Sequence, residues 1–348
     1  MPTFIFHHLP DAVSEERRIV IESHLSQLQL YAYEKDVVLS YIGGITNHGF
    51  RDAVRNVFIR VPGNHSHLLV DRKQEFDTLQ LLADLHLYPP FIEAYFSGDL
   101  AGYKVDPFIE GHALGFVDFQ EHQPHVLPLL KILHDSARVL PATFTIFDRL
   151  WKMHGLLIDH SVTSVPFLNE HHQVAQMPIA VIEDYLALLQ STSEHLFPYL
   201  GTDAYLSPCH NDITPCNFIR LTAPIRGMAY QIVDFEYAAM NDPMYDLAVL
   251  AAMQNLSCEA QTQLVLTYFA AGPEQTAHYS EDIKRVRFYT PLVRLYYSLW
   301  STLQVQMQNE SREAAELKSG WGPHSLNEFL RQFDSHHYQA LIQSASKP

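Results

Sequence analysis

The segment from Cys209 to Tyr237 leaves the chain little freedom. In "CHNDITPCNFIRL" the last residues read as a short strand, with Phe218 and Leu221 apolar and Arg220 polar. "TAPIRG" then supplies Pro224 and Gly227 as turn signals, and "MAYQIVDFEY" is rich in β-formers. Two strands joined by so short a turn predict an antiparallel hairpin. Asn217 opens the first strand and Asp234 closes the second, so the hairpin sets them side by side, with Asp212 on the loop just before.

The same segment also holds Cys209, His210 and Cys216, so a metal cage of Cys209, His210, Asp212 and Cys216 is the rival reading. Structural zinc sites draw close ligand pairs from two segments. Here the third cysteine, Cys258, stands apart, and two cysteines in apolar surroundings read as packing. Two carboxylates and an amide oxygen without sulfur suit a hard, oxygen-seeking ion such as Mg2+. That is the logic of a phosphoryl-transfer site: one Asp takes the proton of the attacking hydroxyl, while an Asn and a second Asp hold the metal on the nucleotide phosphates. "HNDITPCN" fits H-x-D-x4-N, with "VDF" at the metal-Asp position.

Composition excludes other partners. A formal net charge of -16 without any Lys/Arg run disfavours nucleic acid and anionic membrane surfaces. The opening "MPTFIFHHLPDAVSEERR" is too polar for a signal peptide, no apolar run approaches spanning length, and three cysteines argue against a disulfide framework. The expectation is a cytoplasmic protein.

"HNDITPCNFI" followed by "IVDFEYAAMNDPMYDLA" resembles the choline/ethanolamine kinase branch of the aminoglycoside-phosphotransferase-like superfamily, with its strongest likeness to bacterial choline kinases that prepare phosphocholine for surface glycans. The resemblance implies an α+β, two-lobed protein-kinase-like fold, with a small β-rich N-lobe at 1–105, a hinge at 106–111 and a larger, mostly helical C-lobe at 112–348. It also implies ATP, Mg2+ and a small amino alcohol as substrate. Asp212 would be the catalytic base, Asn217 and Asp234 the metal ligands, and His210 and Asp246 structural support.

Other segments agree with that frame. Ser14 is a candidate cap for a helix with Ile19, Val20, Leu25 and Leu28 on one face. "VVLSYIGGITNHGFRDAVRNVFIRV" alternates like a hairpin around "GGITNHG". As a lone pair, Gly43 and Gly44 mark only a turn; the family's nucleotide loop resembles G-G-x-T-N, which adds Thr46 and Asn47 to the ATP site. Arg60 would hold phosphates, oriented by Glu75 rather than by Asp71 or Asp77 of the same helix. The hinge would offer adenine the backbone near Asp106, Phe108 and Ile109. Residues 160 to 178 read as loop, and the tail as one short helix, "SLNEFLRQF".

A quaternary amine has no N–H to donate and must be held by aromatic faces and distant carboxylates. Tyr297 and Trp300, three apart in "VRLYYSLWSTLQ", share a helix face. On spacing alone that face reads as core; the resemblance makes it a substrate wall, with Glu236 and Tyr237 beside it. The chain departs from eukaryotic members in having no carboxylate in "LAVLAAMQN", so Glu236 or Asp246 is expected to supply the negative charge. Ethanolamine, thiamine or aminoglycoside kinases of the same fold are rival readings. A catalytically silent pseudokinase would have lost part of the Asp212, Asn217 and Asp234 set.

Overall fold

The structure, a computed structural model, describes residues 2–345 apart from 12, 45, 170, 201, 203–204 and 308–319. Six strands build the N-terminal sheet: β1 (Thr3–His7), β2 (Asp36–Gly43), β3 (Asn47–Asp52), β4 (Val57–Pro62), β5 (Glu93–Ala94) and β6 (Lys104–Pro107), in the order β1-β2-β3-β4-β6-β5. The run read as one hairpin is a three-strand meander, because the polar "DAVRN" makes a second turn between β3 and β4. β1 adds a parallel edge strand.

Helix α1 (Glu15–Leu25) is capped by Ser14, whose side chain accepts from the Arg17 N–H. Its buried face carries Ile21 and Leu25, with Leu28 just beyond; Ile19 and Val20 face solvent, contrary to expectation. One residue of phase is 100° around a helix, which suffices to exchange the faces. Helix α2 (Arg72–Leu82) is capped by Asp71, which accepts from the Lys73 and Gln74 N–H groups. Its Leu79 and Leu82 belong to the larger, C-terminal core, whereas α1 and the sheet close a smaller one.

β6 ends at Pro107 and β7 (Gly111–Ala113) already pairs with the C-terminal sheet, so the chain crosses between the lobes over Phe108–Glu110. The C-terminal part is helical: α3 (Phe119–His134), α4 (Ile146–Asp159), α5 (Ile179–Leu196), α6 (Pro243–Met253), α7 (Cys258–Tyr268), α8 (Ser280–Gln306), α9 (Gly322–Phe333) and α10 (His336–Ala345). The segment read as loop holds a hairpin of β8 (Ser164–Leu168) and β9 (Val174–Pro178), and the tail forms two helices, not one. β10 (Ser207–Cys209) pairs with β13 (Ala239–Asn241). Between them run β11 (Phe218–Ile225) and β12 (Met228–Ile232), the predicted hairpin, with Phe218 opposite Ile232. No helix among the described residues is long and apolar enough to cross a membrane.

Candidate active site

The β10–β13 pair presents the loop 210–217 beside the end of β12. Asp246, buried in the first turn of α6, accepts the backbone N–H groups of His210 (2.8 Å) and Asn211 (2.7 Å), and His134 Nε2 lies 3.0 Å from it. Asn211 takes a left-handed turn (φ 65°), which Asn tolerates better than most side chains. His210 donates from Nε2 to the Val233 carbonyl (2.9 Å) and accepts the Asp212 N–H at Nδ1 (3.3 Å). Burial lowers its pKa and keeps this neutral tautomer. Asp246 thus fixes the loop to α6, and His210 ties it to Val233, the residue after β12 that precedes Asp234.

Asn217 donates from Nδ2 to the Asp212 carbonyl (2.8 Å), while its own carbonyl accepts the Val233 N–H (2.9 Å). This leaves the Asn217 amide oxygen toward the interlobe cleft, which Asn217 and Asp234 both line. Asp234 is held at φ 69°, and its carboxylate accepts no hydrogen bond among the described residues. Loss of hydration and then the charge of Glu236 push its pKa well above the ordinary carboxylate range. A hydration-poor carboxylate without donors, next to a free amide oxygen, fits a divalent, oxygen-seeking cation. The alternative cage does not form: Cys209 is buried and donates its thiol to the Asn241 carbonyl, and Cys216 is exposed. His134, Cys209 and Asp246 do cluster, but Asp246 is occupied by the donors above, His134 Nδ1 meets the Tyr268 hydroxyl at 2.8 Å, and burial raises the Cys209 thiol pKa.

The cleft encloses about 380 Å³ and is lined by Gly43, Gly44, Thr46, Asn47, Arg60, Asp106, Phe108 and Ile109. Gly44 sits at φ 126°, where a Cβ would fall 2.0 Å from the Asn47 carbonyl oxygen, so the loop requires glycine. Arg60 forks onto Glu75, Nη1 to Oε1 at 2.6 Å and Nη2 to Oε2 at 2.8 Å. Glu75 lies behind Arg60, and the arginine, followed by Lys104, holds its carboxyl far below the usual range despite burial. Sequence reasoning passed over Lys104, which lines the cleft, pairs with Asp106 (3.1 Å) and lies 3.9 Å from Glu75. The Phe108 N–H is spent on the Asn56 carbonyl (2.9 Å), and the Arg51 guanidinium lies 3.9 Å over its ring.

Glu236 lies elsewhere than expected. Its Oε2 accepts from Asn47 Nδ2 (3.0 Å) and Arg72 Nη1 (2.9 Å), with Arg60 Nη1 at 3.7 Å, so its charge faces the N-lobe rather than an aromatic wall. Asp246, saturated behind the loop, supplies no free charge either. Tyr237 is buried beneath the Arg149 guanidinium, 4.9 Å from the ring centre.

Asp212 stands beside the aromatic residues, where Tyr297 donates its hydroxyl to Asp212 Oδ1. The Asp212 carboxyl is pushed up to about 8, first by loss of hydration; the Tyr297 bond opposes this, and the charges of Asp234, Glu236 and Asp246 add to it. Tyr297 and Trp300 meet edge to face (6.5 Å between centres), and Trp321, just ahead of α9, closes the group at 5.2 Å from Tyr297 and 6.0 Å from Trp300. Trp321 was not singled out from sequence, since it shares no helix and no periodic pattern with the other two.

Two lobes with an Arg–Glu fork, a glycine-turned loop, Asn217 and Asp234 on the cleft and Asp212 on the loop beside them define a phosphotransferase of kinase-like fold, acting on an alcohol group. The chain belongs to the choline/ethanolamine kinase family, whose family model matches residues 38–319. It is similar to Protein LicA of Haemophilus influenzae, 24% identical over 287 residues (79% of this chain, 75% of that one). Ethanolamine kinase 2 of Mus musculus is 25% identical over 315 residues, covering 86% and 75% of the two chains. The structure of LicA in complex with AMP superposes with a TM-score of 0.65 at 24% identity, over 96% of this chain and 100% of that chain.

Proposed function

We propose that this chain transfers the γ-phosphoryl group of ATP to the hydroxyl of choline. The observation that carries the reading is the aromatic group of Tyr297, Trp300 and Trp321 set against Asp212 through the Tyr297 hydroxyl. A quaternary ammonium on those faces, each contributing about 0.5–2 kcal/mol, would present its hydroxyl arm to Asp212. Asp212 is the general base; its raised pKa brings it near the operating range of proton transfer. Glu236 and Asp246 are committed to other donors, which leaves aromatic faces as the main surface for the cation and favours choline over a primary ammonium that needs acceptors.

Residues 1–105 act as the N-lobe, 106–111 as the hinge and 112–348 as the C-lobe. Gly43, Gly44, Thr46 and Asn47 cover the nucleotide, Arg60 holds its phosphates with Glu75 behind it, and the Ile109 backbone is left for adenine. The AMP in the LicA structure supports an adenine nucleotide. Asn217 and Asp234 would hold Mg2+, which when bound neutralises charge on the phosphate oxygens. Mg2+, ATP and a small amino alcohol are the partners of this reading, and the cytoplasm, where ATP is available, is its location. An ADP-release assay across choline, ethanolamine, thiamine and an aminoglycoside tests it. Choline should give the highest kcat/KM; a preference for any of the others overturns the substrate assignment.

A further inference from the structure

Helix α2 is anchored to the C-lobe. Leu79 and Leu82 enter the larger core, and Gln74 donates to the Ala238 carbonyl (3.2 Å). At its first turn, buried Arg72 donates from Nη1 to Glu75 Oε2 (3.0 Å) and Glu236 Oε2 (2.9 Å), and from Nη2 to Asn47 Oδ1 (2.9 Å). Asn47 returns its amide to Glu236 (3.0 Å). Gly102 makes room for this: a Cβ there would lie 3.0 Å from Arg72 Nε, and its carbonyl accepts Arg60 Nε (3.2 Å). One guanidinium therefore touches the nucleotide loop, the carboxylate behind Arg60 and the turn that follows Asp234.

We infer that Arg72 is a positioning residue that latches the nucleotide loop, through Asn47, onto the C-lobe-anchored helix and holds it in register with Asp234. Glu75 and Glu236 preset the guanidinium, and Asn47 is its partner on the loop. A planar fork can hold three partners in fixed directions; a lysine ammonium carries the charge without that geometry. The inference rests on the reading of Asp234 and the loop as the ATP site.

The test compares Arg72→Lys, Glu236→Gln and the double variant, by steady-state kinetics on ATP and choline with Mg2+ and by thermal melting. Arg72→Lys should stay folded with a melting point near that of the parent, while kcat/KM for ATP falls about 10- to 100-fold, the scale of a misplacement of about 1 Å. The KM for choline should change by less than about threefold, since Arg72 does not touch the aromatic group. The double variant should lose no more than the worse single variant. Parent-like kcat/KM for ATP in Arg72→Lys overturns the inference, as do losses that multiply in the double variant. If Arg72→Lys melts early, its kinetics are taken below its transition, where parent-like turnover assigns Arg72 to the fold alone. Asp234→Ala is run beside them; parent-like turnover there would sink the reading of the site, whatever Arg72 does.

Discussion

Replacing Tyr297 by Phe removes one oxygen and keeps the ring. The lost group is the hydroxyl that donates to Asp212 Oδ1, the one side-chain bond that lowers a pKa which burial and neighbouring carboxylates raise to about 8. A hydrogen bond to a charged group contributes about 1.5–3 kcal/mol, which is about 1–2 pKa units. The sign follows from the charge: the bond favours ionised Asp212, so its loss raises the pKa further. With a pKa of about 8, about one carboxyl in ten is ionised at pH 7, and each further unit lowers that fraction about tenfold. Tyr297→Phe should therefore lower kcat/KM at pH 7 by about 10- to 100-fold, shift the acid limb upward, and approach the parent at high pH. The KM for choline should change little, because Phe retains a π face. The assay is kcat/KM by ADP release from pH 6 to 10. An acid limb in the parent's place, or an equal loss at every pH, would refute the role given to the Tyr297–Asp212 bond.

Trp321→Ala should raise the KM for choline about 2- to 30-fold, the worth of one cation–π face, and leave the KM for ATP unchanged. A loss shared by both substrates with a lowered melting point would assign Trp321 to packing. Glu75→Gln takes from buried Arg60 its nearest counter-charge, leaving Glu236 at 3.7 Å, and should cost up to about 3–5 kcal/mol, read as a lower melting point at neutral pH. Because the Glu75 pKa is depressed, its contribution is fully present above the ordinary value of 4.5 and is lost as pH falls below it, so parent and variant should converge on acidification. A difference that does not shrink in acid would contradict the charge pairing.

What the sequence determined by itself lies close together along the chain. The hairpin was legible because strand propensity and turn residues are local, and antiparallel pairing then fixes which ends meet; hence Asn217, Asp234 and Asp212 come together as read. The Ser14 and Gly44 positions were legible for the same reason, as cap and turn chemistry are written within a few residues. Periodicity, by contrast, gives a face only to within a residue or so, which is how Ile19 and Val20 were placed inward. It also names no partner. Arg72 meets Glu236 across 164 positions, and Trp321 meets Tyr297 from its place just ahead of α9, so neither contact leaves any local trace. Glu236 sits in a motif with its neighbours Asp234 and Tyr237, yet its carboxylate turns to the N-lobe because the buried cations Arg60 and Arg72 are there to meet it. A buried charge takes the nearest opposite charge that the fold provides, and only the packing of α2 between the lobes decided which that was.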